Sequence, residues 1–136
     1  MPTAEPIYAL EPDLGPVEFL AVLHASGLAA RRPVDDPARI AAMLASAQLI
    51  ATARVDGAIV GVARAITDYA RDCYLCDLAV DRAHIGHGIG RALIAYVHAA
   101  AGPQTTLTLI AAPAAVSFYE RIGLERPNAF TIPRQR

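Results

Sequence analysis

The sequence contains no lysine, and all 12 of its basic residues are therefore arginine. Without a lysine the chain cannot form a Walker phosphate loop, a Schiff base or a lysine-tethered prosthetic group. Several enzyme classes that depend on a lysine side chain are excluded by this absence alone.

The sequence also lacks excess charge and long apolar runs. Its formal net charge is −1, which gives no broad basic surface, so nucleic acid is not an expected partner. No stretch reaches the ~20 apolar residues of a membrane-spanning helix. The first residues show no basic segment followed by an apolar run, which predicts a cytoplasmic protein that does not engage a membrane.

What is present is hydrophobic enough to fold. The chain has 136 residues, of which 54% are hydrophobic and 18% are charged. This length suits one core, and no linker or repeat divides the chain. We therefore expect a single domain over residues 1–136.

The two cysteines, Cys73 and Cys76, form a C-x-x-C pattern inside an apparent β-strand. Residues three apart on a strand point to opposite faces, which argues against a disulfide or a shared metal. A redox pair would need a helix N-terminus to lower the pKa of one thiol. The pattern predicts two reduced, structural cysteines.

Hydrophobic periodicity predicts ten elements in the order β-α-α-β-β-β-α-β-α-β. Asp36 followed by Pro37 is typical of a helix start, Gly27 of a helix end, and Asp56-Gly57 of a hairpin turn. A run of hairpins followed by one strand–helix–strand crossover predicts an α/β fold. Its sheet is mixed and mostly antiparallel, with a β-α-β crossover and helices on both faces. In chain order, the predicted strands and helices are 7–10, 16–26, a helix beginning at 37, 49–55, 58–66, 73–80, a helix with inward residues from 89 to 101, 106–111, 114–122 and 129–132.

The strongest local signal is Gly86-His87-Gly88-Ile89-Gly90, between a strand and a helix. Alternating glycines leave backbone N–H groups pointing outward, and the helix N-terminus adds its positive dipole end. This combination suits a phosphate or diphosphate, although it does not match the dinucleotide fingerprint. A glycine-rich turn needed only for tight packing explains the residues equally well.

Two segments of the sequence resemble a known family. Asp77-Leu78-Ala79-Val80, followed by residues 86–94, is similar to the acyl-CoA-binding motif of the GCN5-related N-acetyltransferases (GNAT family). Residues 115–124, which centre on Phe118-Tyr119 and close on Gly123-Leu124, resemble the second signature of that family. The two signatures occur in the family's order and spacing.

The resemblance implies an enzyme that transfers an acetyl group from acetyl-CoA to a primary amine by direct attack. The acceptor would be a small molecule or a peptide, and no metal is implied. The backbone of Leu78, Ala79 and Val80 would dock the pantetheine arm like an added strand. The diphosphate would be held by Gly86, His87, Gly88, Ile89, Gly90 and Arg91.

The resemblance also implies catalytic roles. Tyr119 matches the family tyrosine that protonates the leaving CoA sulfur, although a tyrosine simply packed beside Phe118 fits the same helix. Asp77 is the candidate general base, with a solvated or turn-capping aspartate as the alternative. His84 and His87 share an H-x-x-H spacing, but the loop offers no carboxylate or cysteine at a suitable distance for a shared metal, which argues against a zinc site.

Two departures from the family pattern keep other functions open. Ile85 and Ala112 stand where the family is usually polar. A non-catalytic CoA-binding sensor, or a regulatory domain for another phosphate ligand, therefore competes with the enzyme. Arg31 and Arg32 favour an anionic acceptor, while Asp35, Asp36, Asp68 and Asp72 favour a cationic one, and the sequence does not choose. A homodimer is compatible with the resemblance.

Overall fold

A computed structural model describes residues 4–135. Five strands form one sheet in the order β1-β2-β3-β4-β5, in which β1 to β4 are antiparallel neighbours and β5 is parallel to β4. The crossover between the two parallel strands runs through a helix. The strands are β1 (Ile7–Leu10), β2 (Leu49–Val55), β3 (Ala58–Thr67), β4 (Asp72–Val80) and β5 (Thr106–Thr108).

Helices cover both faces of this sheet, as the sequence predicts. The helices are α1 (Pro16–Ser26), α2 (Pro37–Ser46), α3 (Ile89–Ala101) and α4 (Val116–Arg121), and a 3₁₀ turn (Leu28–Arg31) follows α1. The α1 and α2 helices enclose one apolar core with the sheet, and α3 encloses the other, with α4 packed against it. The fold class predicted from the sequence is confirmed.

Local signals of the sequence set the ends of these elements. The Asp36 carboxylate accepts a hydrogen bond from the Arg39 N–H at the start of α2, at 3.1 Å. Gly27 ends α1 with a φ of 87°, a left-handed conformation that favours glycine. The inward residues predicted for α3 are all buried: Ile89, Leu93, Ile94, Val97 and Ala101.

The chain after α4 differs from the prediction. No strand forms over residues 129–132, and the exposed fractions of Phe130 and Ile132 are 95% and 97%. Prolines at 127 and 133 flank this segment, and a strand needs a partner for its backbone and a surface for its side chains. The strand expected over residues 106–111 is also shorter and ends at Thr108. No helix among residues 4–135 is long and apolar enough to cross a membrane.

Candidate active site

A groove opens where β4 and β5 separate. The two strands pair only over Asp72–Tyr74 and Thr106–Thr108, and beyond these residues β4 continues to Val80 without a partner on that side. The divergence exposes one edge of β4 in the middle of the sheet. The groove is lined by Leu28, Arg31, Arg32, Leu75, Cys76, Leu78, Leu109, Ile110, Ala112, Ala115 and Tyr119.

A β-bulge at Cys76 shapes the wall of this groove. In the pairing with β3, Asp77 lies opposite Arg64 and Leu75 opposite Ala65, so that Cys76 is the extra residue. The bulge reverses the alternation of side chains along β4. Leu75 therefore packs in the α3 core, whereas Asp77 points to the face that α1 and α2 cover.

The backbone of β4 presents donors to the groove. The N–H of Asp81 donates to the Val60 carbonyl at 2.8 Å, which fixes which residues of β4 bond to β3. Bonded and non-bonded residues alternate along an antiparallel strand. The amide of Ala79 therefore faces β3, while the amides of Leu78 and Val80 face the groove.

The glycine loop supplies a second set of free donors. The first bond of α3 runs from the Ala92 N–H to the Gly88 carbonyl, at 3.0 Å. Within residues 4–135, the N–H groups of residues 86–91 have no protein acceptor. These donors lie at the positive end of the α3 dipole, and such an arrangement binds anions without a charged side chain.

The three glycines of the loop meet different structural requirements. Gly86 and Gly88 have φ values of 91° and 78°, and a Cβ on either residue would meet no atom within 4 Å. Gly90 has no such conformation, but a Cβ there would lie 3.3 Å from the Phe118 ring. Two glycines therefore shape an open cradle, and the third lets α4 approach α3.

Tyr119 lies in the groove on α4, beside the Phe118 ring, with their centroids 5.1 Å apart in an edge-on arrangement. Burial raises the pKa of Tyr119 above its usual value of 10, and the positive charge of Arg32 opposes part of this rise. The hydroxyl is consequently protonated at neutral pH and is able to donate a hydrogen bond.

Asp77 is clamped between two arginines. Its Oδ1 accepts from Arg32 Nε at 2.5 Å, its Oδ2 accepts from Arg64 Nε, and its side chain is fully buried. Both oxygens are thus engaged by permanent cations. Asp77 as a general base stays a prediction, but these surroundings favour a role in holding Arg32.

Arg32 lies in the site, although the sequence alone does not assign it a role in the reaction. Its side chain reaches from the segment after α1 across to β4, where Nη2 donates to the Cys76 carbonyl at 2.9 Å. Its partner Asp77 is 45 residues away in sequence. The adjacent pair Arg31-Arg32 is the only signal in the sequence, and it does not reveal this contact.

The other candidates lie elsewhere or are occupied. Asp68 accepts three backbone N–H bonds in its own loop, led by that of Arg71, and these hold its pKa at about 2. Cys73 and Cys76 are free thiols, and burial raises the pKa of each. A raised thiol pKa disfavours the nucleophilic thiolate.

The two positions that depart from the family pattern differ in their surroundings. Ile85 precedes the cradle and has an exposed fraction of 64%, and Ala112 lines the groove. No group of three or more His, Cys, Asp or Glu side chains among residues 4–135 is arranged to hold a metal ion.

Comparisons with known proteins agree with the family resemblance of the sequence. A family model described as "Acetyltransferase (GNAT) domain" matches residues 25–129. Solved structures show the same fold. A Deinococcus radiodurans R1 protein assigned to the acetyltransferases is 24% identical, with a TM-score of 0.76, and the match covers 98% of this chain and 92% of that one.

Two further structures match over nearly their whole length. A GNAT family acetyltransferase from Streptococcus pneumoniae TIGR4 is 19% identical, with a TM-score of 0.75, over 96% of this chain and 99% of that one. A ribosomal-protein-alanine N-acetyltransferase from Brucella melitensis biovar Abortus 2308 is 23% identical, with a TM-score of 0.73 and the same coverages, 96% and 99%.

The fold is thus that of the GNAT acetyltransferases. Because the family model also matches most of the sequence, this chain belongs to the GNAT family. Acetyl transfer is the general activity that this membership supports.

Proposed function

We propose that the protein transfers an acetyl group from acetyl-CoA to a primary amine by direct attack, in the groove between β4 and β5. One observation carries the proposal: β4 and β5 diverge after Tyr74, which leaves one edge of β4 unpaired beside the groove that Tyr119 lines, and β4 leads on to the glycine loop before α3. The amides of Leu78 and Val80 suit an extended ligand that pairs with β4 as an added strand. The donors of residues 86–91 suit a diphosphate.

The chemistry of this transfer balances with the groups in the groove. The neutral amine attacks the thioester carbon, the carbon–sulfur bond breaks, and the CoA thiolate takes up a proton. Tyr119 supplies that proton in our proposal, since burial keeps its hydroxyl protonated. The amine loses a proton to water in exchange, and solvent restores the phenol.

A cysteine acyl-enzyme is not part of this mechanism. Cys76 lines the groove, but burial raises the pKa of its thiol and the group is a poor nucleophile at neutral pH. Asp77 acts in our proposal as a positioning residue for Arg32, because both of its oxygens are already bonded to arginines.

The test is release of free CoA from acetyl-CoA in the presence of a panel of primary amines. A thiol reagent reads the release, and mass spectrometry reads the acetylated amine, so that the thiol of Cys76 adds no false signal. Acetylation above the rate without protein is the expected result.

Binding without turnover is the informative alternative outcome. Saturable binding of acetyl-CoA with no acetylated product from any amine would contradict the enzyme and favour the CoA-binding sensor, which the apolar side chains of Ile85 and Ala112 suggest. Binding of inorganic phosphate or nucleotides in preference to CoA would favour a regulatory domain for another ligand.

A further inference from the structure

The side chain of Arg32 is held rigidly in the lining of the groove. Its Nε donates to Asp77 at 2.5 Å, its Nη2 to the Cys76 carbonyl at 2.9 Å, and its Nη1 to the Arg31 carbonyl at 2.9 Å. A guanidinium fixed in this way loses little side-chain freedom when a ligand binds. Arg32 is therefore preorganised.

Arg32 also has donors to spare. A guanidinium carries five N–H groups, and the three bonds to groups within residues 4–135 leave two of them free. Its side chain keeps an exposed fraction of 23%, and it lines the groove beside Tyr119. Two N–H donors on one planar cation are the usual partner of a carboxylate.

The charges around the groove also favour the binding of an anionic group. Among residues 4–135, Arg31 and Arg32 are the charged residues in its lining, and none of these residues contributes a carboxylate to it. The negative charge of Asp77 lies behind Arg32 and is shared with Arg64. The groove thus has an excess of positive charge where the sequence alone left the sign open.

The nearby aspartates do not offset this charge. Asp36 caps α2, Asp68 accepts the backbone of its own loop, and Asp72 lies 3.6 Å from the exposed Arg71. Neither these three residues nor Asp35 lines the groove. An acceptor that is only cationic would meet no complementary charge there.

The phosphates of acetyl-CoA do not account for Arg32. In the proposed binding mode they lie at the glycine cradle, which follows the end of β4. Arg32 bonds to Cys76, four residues before Val80, a separation of about 13 Å along an extended strand. An anion at Arg32 would therefore belong to the other substrate.

We propose that the acceptor is an amine that also carries a carboxylate, and that Arg32 binds this carboxylate beside the point of acetyl transfer. The inference rests on the proposed function and narrows its substrate class to amino acids and related amino carboxylates. Arg32 acts as a specificity-determining residue, and Asp77 positions it.

The test measures binding of acetylated products, which needs no turnover. Calorimetry with CoA-saturated protein compares N-acetylglycine with the uncharged N-acetylglycinamide, and N-acetyl-β-alanine with its amide. The wild type is expected to bind at least one acid about 10-fold or more tighter than its amide, the range of a hydrogen bond to a charged group.

Two variants locate the effect. Arg32→Gln should weaken binding of the acid about 10-fold or more and change binding of the amide little. Arg71→Gln removes an exposed arginine outside the groove and should behave like the wild type. If Arg32→Gln does not fold, the salt dependence of binding to the wild type tests the proposal instead. Only the acid should lose affinity as KCl is raised from 0.05 to 0.5 M.

Several results would overturn the proposal. In the wild type, these results are equal affinities for acid and amide, or no detectable binding of either acid. In Arg32→Gln, they are an equal loss of affinity for acid and amide, or a matching loss of affinity for acetyl-CoA. Failure of the proposed function is distinct: it is the absence of acetylated product, whichever ligands bind. Acetylation of neutral amines at the rate of amino carboxylates would retain the function and remove this inference.

Discussion

At the scale of single residues, the Tyr119 hydroxyl is the group whose removal separates proton donation from packing. Tyr119→Phe keeps the ring that packs edge-on against Phe118 and removes only the donor. We expect kcat to fall by ~10²–10⁴-fold, the usual range for general acid catalysis, with little change in acetyl-CoA affinity. Steady-state kinetics and calorimetry measure the two quantities.

The pH dependence adds a check on the same residue. Because the pKa of Tyr119 is raised above 10, the hydroxyl stays protonated through the neutral and mildly alkaline range. Loss of the donor should therefore lower kcat by the same factor from pH 7 to pH 9. Activity of Tyr119→Phe within a few-fold of wild type would leave solvent as the proton donor.

A substitution of Asp77 tests how much its buried ion pairs with Arg32 and Arg64 stabilise the fold. Asp77→Asn removes the negative charge between Arg32 and Arg64, and the loss of one partner from a buried ion group costs about 3 kcal/mol of unfolding free energy. Denaturant unfolding measures this change. Glu120→Gln, which affects an exposed pair with Arg126 at 4.0 Å, should change stability by less than about 1 kcal/mol.

The kinetics of Asp77→Asn distinguish a base from a positioning residue. If Asp77 were the general base, the acidic limb of the kcat/KM profile would be absent in Asp77→Asn. A positioning residue leaves that limb in place, because the limb then reports ionisation of the amine. We expect the limb to persist, and its disappearance would restore the base assignment.

At the scale of elements, the glycine loop and the start of α3 form the proposed anion site. Gly88 is left-handed, and Asn and Asp tolerate that conformation better than other residues with a side chain. Gly88→Asn and Gly88→Asp thus place similar side chains in the open cradle and differ in one charge. The aspartate variant should bind acetyl-CoA about 10-fold or more weakly than the asparagine variant, because its carboxylate repels a diphosphate.

The comparison contains its own control for folding. Equal melting temperatures of the two Gly88 variants without ligand would assign the difference in affinity to charge. Equal acetyl-CoA affinities would place the diphosphate away from the α3 N-terminus.

A charged cluster joins three other elements. Arg54 on β2 bonds Glu11 after β1 through two nitrogens, each at 2.9 Å, and Glu18 on α1 at 2.7 Å. The bonds from Arg54 lower the pKa of Glu11 below 4.5. The stabilisation is therefore present above pH 4.5 and is lost as the pH falls through the lowered pKa of the folded state.

Arg54→Met should reveal this dependence. At pH 7 the variant is expected to be about 1 kcal/mol less stable than the wild type, and the difference should shrink as the pH falls from 4.5 through the lowered pKa of Glu11. Urea unfolding at several pH values measures both. A difference that is constant with pH would mean that packing of the Arg54 stem, rather than its charge, stabilises the fold.

Elements also show which features the sequence could predict. The caps of α1 and α2 and the inward face of α3 follow from residues within a turn of one another, and each was predicted. The bulge at Cys76 was not, because it depends on how β4 pairs with β3. A regular strand would place Asp77 on the face of Leu75, whereas the bulge turns it toward Arg64 and Arg32.

At the scale of the whole molecule, the sheet topology and the GNAT fold could be predicted because two local signatures stand in a fixed order. The position of Arg32 in the groove could not be predicted, since it depends on a contact between Arg32 and Asp77 across 45 residues. The strand predicted over residues 129–132 is wrong. Its apolar alternation is typical of a strand, but strand formation requires a neighbouring edge, and none pairs with residues 129–132.

Backbone amide NMR during an acetyl-CoA titration tests the central claim most directly, because it observes the whole molecule at once. The account predicts that the amides of Leu78 and Val80 shift together with those of residues 86–91, all with one dissociation constant, while those of β1 remain unchanged. Shifts confined to residues 86–91 would contradict the account by reducing the site to a phosphate cradle. Shifts only outside the β4–β5 groove would contradict it altogether.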